Sequence, residues 1–225
     1  MDTYTGNGFT LLDIQDEVCR RCFKDTGTFR SLITAWVNEA QQKIATIANG
    51  RWWWLEKSVE VPVSSGDDEI DLPADFFEPI DNASVRDATC NVILTPMNHA
   101  EFQRRNLSES PQTGRPNRYC IFAHNDTACA RKLKFKPSSD TPRTIVIDYY
   151  KILPILAGDN DTPQIPYWYQ HLLIEFAVMR GQEYRQMPEQ ATLARNNWID
   201  GLQQLMVEAD TNNHLQGALR PKWRW

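Results

Sequence analysis

The chain has 225 residues, 41% of them hydrophobic and 24% charged, a balance that supports a sizeable buried core and excludes a wholly disordered polymer. Its 24 Lys and Arg against 29 Asp and Glu leave a net charge of −5, which argues against coating nucleic acid through phosphate contacts over the whole surface. Apolar runs are far shorter than a membrane span, and Met1 to Gly8 has neither a basic start nor an apolar stretch, so no secretory signal and a cytosolic setting are expected.

In chain order, Thr10 is placed to cap a first helix, with Asp13 three residues on and favourable to the helix dipole. Leu11, Ile14, Val18 and Cys22 recur at helical spacing until Gly27 breaks the pattern. Thr28 is the expected cap of a second helix with the face Ile33, Trp36 or Val37, Ala40, Ile44 and Ile47, ended by Asn49-Gly50. From Ser58 the period changes to two: Val59, Val61 and Val63 alternate with polar residues, Ser64 to Asp68 reads as a turn, and Ile70 and Leu72 continue to Pro73. Further strands are predicted over 83–88, 91–95, 117–123, 131–136 and 144–152, with a short helix from Asn98 to Leu107 and a hairpin connection at Asn125-Asp126-Thr127.

The helical period returns near Pro166. Trp168, Leu172, Phe176 and Met179 mark a third helix, and Pro188 opens a fourth with Ala191, Ala194, Trp198, Leu202 and Leu205 on one face, ending at Asn212-Asn213. Short helices at both chain ends cannot bury their stripes alone, so they are expected to pack together. The predicted fold is α+β: a bundle of N- and C-terminal helices (1–55 and 154–212), an inserted antiparallel β-region (56–153) and an extended tail (213–225).

The polar chemistry is sparse. Cys19-Arg20-Arg21-Cys22 has the spacing of a redox or zinc half-site, but it sits late in a helix and no second pair completes it, so packing is the favoured reading. The histidines 99, 124, 171 and 214 are scattered, and Asp159-Asn160-Asp161-Thr162-Pro163 reads as a turn rather than a cation loop. Neither a nucleophile elbow nor a phosphate or dinucleotide loop appears, and no catalytic residue, metal or cofactor is expected. Carboxylates at Asp67/Asp68 and Asp159/Asp161 lie in turns with nothing to raise a pKa, which ranks a carbohydrate-active reading last.

The aromatics are more informative. Three successive side chains, Trp52-Trp53-Trp54, cannot all face one core, so at least one indole needs a second surface, supplied by a domain junction or by another subunit. After Asn213, Gly217 and Pro221 are expected to break any helix, yet Leu215, Leu219, Trp223 and Trp225 are too apolar for a solvated end and alternate with Arg220, Lys222 and Arg224. Trp and Arg are enriched at binding hot spots, so this segment reads as a docking peptide. Lys132, Lys134 and Lys136 place three cations on one strand face, a solvated or edge-protecting strip or, if functional, an electropositive surface for an acidic partner or DNA. The aromatics and that strip together leave a single-stranded nucleic-acid-binding module as the alternative.

In order, these features resemble the head-to-tail adaptor proteins of tailed bacteriophages, which include tail tubular and gatekeeper components of short-tailed phages. The resemblance rests on a helix pair ending in Trp52-Trp53-Trp54-Leu55-Glu56-Lys57 and on the turn Asp71-Leu72-Pro73-Ala74-Asp75-Phe76. It continues with Gly114-Arg115-Pro116 before Tyr119, Asp148-Tyr149-Tyr150-Lys151 before Pro154, and the 159–166 loop before Tyr169-Gln170-His171-Leu172-Leu173. It spans roughly residues 10 to 210; the Cys19/Cys22 pair and the basic Trp tail stand outside the pattern. The resemblance implies a structural virion protein of the neck, assembled in the host cytoplasm, forming a dodecameric ring beneath the portal. Its implied partners are its own copies, the portal protein, a tail or nozzle protein and DNA passing through a lumen without sequence-specific binding, with no membrane involved. Carried onto this chain, Leu215 to Trp225 would be the arm that docks on the portal or a neighbour.

Overall fold

The computed structural model describes residues 8–23, 28–47, 51–108, 112–123 and 131–219; for 106–108, 123 and 209–219 it describes the backbone alone. The chain divides by packing into two compact units, residues 1–54 with 153–225, and residues 55–152.

The first unit is helical. Helix α1 (Leu11–Cys22) begins as the sequence predicts: Thr10 Oγ1 accepts the Asp13 N–H, and the Asp13 carboxylate reaches back to the Thr10 N–H, a complete capping box. Helix α2 (Arg30–Thr46) buries Ile33, Val37, Ala40 and Ile44, which settles its face on Val37 rather than Trp36. Its N-cap is Phe29 in the αR region with no side-chain hydrogen bond, so Thr28 is not the cap. The expected breakers Gly27 and Asn49-Gly50 lie outside the described residues.

Helix α4 (His171–Tyr184) contacts α1, α2 and α5 (Pro188–Leu219). Residues 172–174, 176–179, 181 and 182 are all buried, so α4 is the core of the bundle, with His171, Glu183 and Tyr184 exposed at its ends. A Cβ at Gly201 of α5 would lie 2.3 Å from Leu172 Cδ2, so the missing side chain sets how closely α5 approaches α4. Buried Ala191, Ala194, Leu202 and Leu205 carry the α5 stripe, with Trp198 half-buried against Phe176, as the periodicity predicts.

Two expectations fail here. Trp168 is not on the α4 stripe: it lies in a 3₁₀ turn (Tyr167–Tyr169) before the helix, and its side chain is exposed. Nor does α5 stop at Asn212-Asn213; it runs to Leu219 through Gly217, because one glycine costs a helix only about 1 kcal/mol whereas Pro221 lies beyond its last turn. Among the described residues no helix is long and apolar enough to cross a membrane.

The second unit is built on β11 (Arg143–Lys151), buried over most of its length. On one side it pairs antiparallel with β1 (Glu56–Val63), from Glu56↔Tyr150 to Val63↔Arg143. It also pairs with β3 (Phe76–Pro79) and with β4 (Val85–Asp87), and β5 (Val92–Ile93) pairs with β4. A second sheet runs β2 (Glu69–Asp71), β9 (Arg131–Lys136), β8 (Arg118–Ala123), β6 (Thr95–Pro96). The short α3 (His99–Ser108) contacts β8, and β7 (Thr113–Gly114) pairs with β10 (Ser138–Ser139). The long ladders are antiparallel, as predicted, and only the two-residue β6–β8 and β7–β10 pairs among the described residues are parallel. Val63, Ile70, Phe76, Val85, Leu133, Phe135, Ile145 and Tyr149 belong to one apolar core of this unit.

Candidate functional site

Trp52 is fully buried, and its Nε1–H donates to the Ile44 carbonyl at 2.9 Å, tying the indole triplet back onto α2. Trp53 and Trp54 start a 3₁₀ turn (Trp53–Leu55), whose three residues per turn fan the side chains apart. Trp52 and Trp54 stack with centroids 4.4 Å apart, and Trp53 meets Trp54 edge-on at 5.3 Å. Trp53 and Trp54 are half-buried, and Trp54 Nε1 is buried with no acceptor among the described residues.

A second aromatic triplet has the same logic and was missed in the sequence. Tyr167, Trp168 and Tyr169 follow Pro166, and three neighbouring rings again cannot share one core. Tyr169 is buried and its hydroxyl donates to Glu208 of α5. Burial, with that carboxylate beside it, pushes the Tyr169 hydroxyl up to about 12. Tyr167 and Trp168 are left 61% and 46% exposed. On α5, Leu193, Ile199, Met206 and Val207 are also exposed. Leu215 and Leu219 fall on the α5 backbone, while Arg220, Lys222, Trp223, Arg224 and Trp225 lie outside the described residues.

The lysine strip alternates as predicted, with Leu133 and Phe135 buried beneath it. Strand β9 is interior to its sheet, however, so the strip does not guard an edge. Lys132 lies 2.8 Å from Glu69 and 3.6 Å from Asp71, and Lys134 lies 3.5 Å from Glu69 and 3.7 Å from Asp68. Two of the three cations are therefore compensated within the unit.

Residues 9–222 match the model of the SU10 adaptor protein family. The chain belongs to that family. It is a phage adaptor-type, virion-associated structural protein, and the family is not an enzyme class. A search of curated proteins found no match.

In the adaptor, the paired thiols are engaged in packing and the Asp161 carboxylate in backbone hydrogen bonds. Cys19 and Cys22 are buried free thiols. Burial pushes Cys22 up to about 11, outweighing the pull of Arg185 and Arg21, so the flanking arginines do not activate it. A Cβ at Gly181 would stand 2.9 Å from Cys22 Sγ, which fits a small thiol packed against α4. The Asp161 carboxylate accepts the Ala157 and Gly158 N–H groups at 2.8 Å each. The main-chain carbonyls of Asp161 and Asp159 accept the N–H groups of Leu11 and Leu12 at 2.8 and 3.0 Å. The loop read as a turn into the next helix also satisfies two orphan donors of α1.

Proposed function

We propose that this adaptor forms a ring beneath the portal and joins it to a tail or nozzle protein in the virion neck. The ring is dodecameric, as the resemblance implies, and DNA passes through its lumen without sequence-specific contact. The segment Leu215–Trp225 is the arm that docks on the portal or a neighbouring copy, and Trp52, Trp53 and Trp54 form a second contact. Assembly takes place in the host cytoplasm. The observation that carries this reading is the reach of α5. Its 32 residues span ~48 Å, against ~21 Å for the 14 residues of α4 on which it packs. The helix outruns its partner, and Arg220–Trp225 follow it directly in sequence. The residue types suit docking, since indoles fill pockets while the interleaved cations find carboxylates at a rim. A net charge of −5 suits a channel that lets DNA slide without gripping it.

The test is negative-stain imaging of the protein mixed with purified portal. The full chain decorates portal rings; a variant lacking 214–225 does not, while its helical circular dichroism persists because the buried α5 residues Ala191, Ala194, Leu202 and Leu205 all precede the cut. A full chain that never decorates portals defeats the assembly reading, and a truncated one that still docks defeats the arm.

A further inference from the structure

Strand β1 is an outer strand of its sheet, eight residues long and, among the described residues, paired on one side only, with β11. Which main-chain groups it leaves over follows from the next ladder. The Ala88 N–H donates to the Thr144 carbonyl at 2.9 Å and the Asp148 N–H to the Ser84 carbonyl at 2.8 Å, in the register that pairs Ile145 with Asp87. Successive residues of an antiparallel strand bond to opposite sides, so even-numbered residues of β11 bond toward β4 and odd-numbered ones toward β1. Ile147 and Ile145 stand opposite Val59 and Val61, and those valines complete the β1–β11 bonds. Ser58 and Glu60 therefore turn N–H and carbonyl groups outward, and Pro62 a carbonyl alone, with no partner among the described residues. All three residues are exposed. An uncovered outer strand of this length is a template for another chain.

The side chains specify what fits. Glu60 lies on the solvent face and makes no ion pair among the described residues, while Val59 and Val61 pack half-buried against the core on the other face. In Arg220–Trp225, outside the described residues, Arg220, Lys222 and Arg224 alternate with Pro221, Trp223 and Trp225. An extended segment of that sequence has cations on one face and rings on the other. We propose that Arg220–Trp225 of a second copy adds to β1 as an antiparallel strand. Residues directly opposite share a face, and the register that seats both indoles on valines sets Trp225 opposite Val59, Trp223 opposite Val61 and Arg224 opposite Glu60. In that pairing Arg224 bonds to the main chain of Glu60, while Pro221, which has no N–H to give, turns its nitrogen away from β1. A second β1 is the poorer occupant, because it brings another Glu60 to the same face and a second missing N–H at Pro62. The inference rests on the ring reading above and names the surface of a neighbour that receives the arm. An arm and a receiving strand at different places on the chain make a heterologous contact, which closes into a ring when its rotation permits.

Substitution of Glu60 tests it. E60P keeps the ladder with β11, since Glu60 bonds outward and Pro62 already stands at an equivalent position. E60K, E60P and the charge-swapped E60K/R224E are each mixed with purified portal, and ring occupancy is counted by negative-stain imaging. E60K and E60P lose occupancy roughly tenfold or more, and the swap recovers it. Amide exchange at residues 145–147 as slow as in the parent shows the β unit intact; where E60P speeds it, E60K and the swap carry the test. Oxidised E60C/R224C on portal gives covalent multimers that the parent, with its own five cysteines, does not, because residues opposite in such a pair lie about 5.5 Å apart at Cα. If E60K and E60P assemble as the parent does, β1 does not receive the arm, although the ring reading stands. If E60C/R224C closes within one chain and yields no multimers, the arm fills its own β1 and the proposal is wrong. If R224E loses docking while E60K keeps it, the arm meets the portal instead, which also overturns the proposal. If the parent itself forms no ring, the ring reading and this inference fall together.

Discussion

The two units bury polar groups for different purposes. The helical unit is assembled from stretches that 98 intervening residues separate in sequence, 1–54 and 153–225. Its irregular connections are held by neutral amides. Asn38 donates to the Leu156 carbonyl at 2.9 Å and accepts the Leu156 N–H at 2.8 Å. Gln41 donates to the Pro154 carbonyl. Buried Gln170 accepts the Phe9 N–H at 2.6 Å and donates to the carbonyls of Pro163 and Ile165, both at 3.1 Å. Gly8 fits beside it because its φ is +62° and a Cβ would stand 2.8 Å from Gln170 Oε1. The β unit is continuous in sequence, so ladders supply its long-range ties and its deepest polar feature is an ion pair. Asp87 is fully buried and lies 2.9 Å from Arg143, which also reaches Asp140 at 2.6 Å. Asp87 Oδ1 meanwhile accepts the N–H groups of Thr89 and Cys90. Loops without a ladder partner need amides that donate and accept at once, whereas a turn that closes two strands can rest on one charged cluster.

Breaking the ion pair should have the largest effect. Asp87→Ala leaves the buried Arg143 with the exposed Asp140 and the Cys90 sulfur, and strands two turn N–H groups, at a cost of about 3 kcal/mol. Native-state hydrogen exchange should show residues 145–147 of β11 losing protection while 172–179 of α4 keep theirs. A loss below about 1 kcal/mol would mean that the ladders alone hold the unit. Asn38→Ala reverses the pattern at smaller size. The Leu156 N–H and carbonyl lose their partner, costing about 2 kcal/mol, with faster exchange across α2 and α4 and none in β11. Equal losses in both units from either variant would erase the distinction.

Much of this was legible in the sequence where a signal is local. Thr10 and Asp13 are three residues apart and announce their own capping box. The Val59, Val61, Val63 alternation places β1, and the Ala191 to Leu205 stripe places α5. What escaped depends on partners far along the chain. The alternation of Lys132, Lys134 and Lys136 is visible, but their inequality comes from a register with Glu69 and Asp71 some 60 residues earlier, and no periodicity encodes that β9 is interior. Strand β3 is four residues closed by Pro79, too short to show a period. Trp168 has helical spacing to Leu172, yet a 3₁₀ turn intervenes and rotates it out to solvent. Of the candidate site, the aromatic and basic composition could be read, while the facing of charges across β2 and β9 could not.

The smallest expected effect sharpens the comparison at the loop that serves α1. The N–H groups of Ala157 and Gly158 hold the Asp161 carboxylate below the usual range, against a weaker opposing push from desolvation. A carboxyl whose pKa is lower folded than unfolded adds stability at pH values above its unfolded pKa, about 4, and loses it as pH falls through the folded value. Asp161→Asn keeps an oxygen that can accept both N–H groups but removes the titration. Between pH 5 and pH 3 the urea midpoint of the parent should therefore fall further than that of the variant, while the two differ by a constant amount from pH 6 to 8. Because the Asp161 and Asp159 carbonyls accept the first N–H groups of α1, the acid loss should appear as faster exchange at Leu11 and Leu12. It should leave β11 untouched, since nothing in that strand depends on this turn. Parallel acid limbs in parent and variant would assign the tie to backbone geometry alone, making the loop like the neutral amides around it rather than a charged device of the kind that holds the β unit.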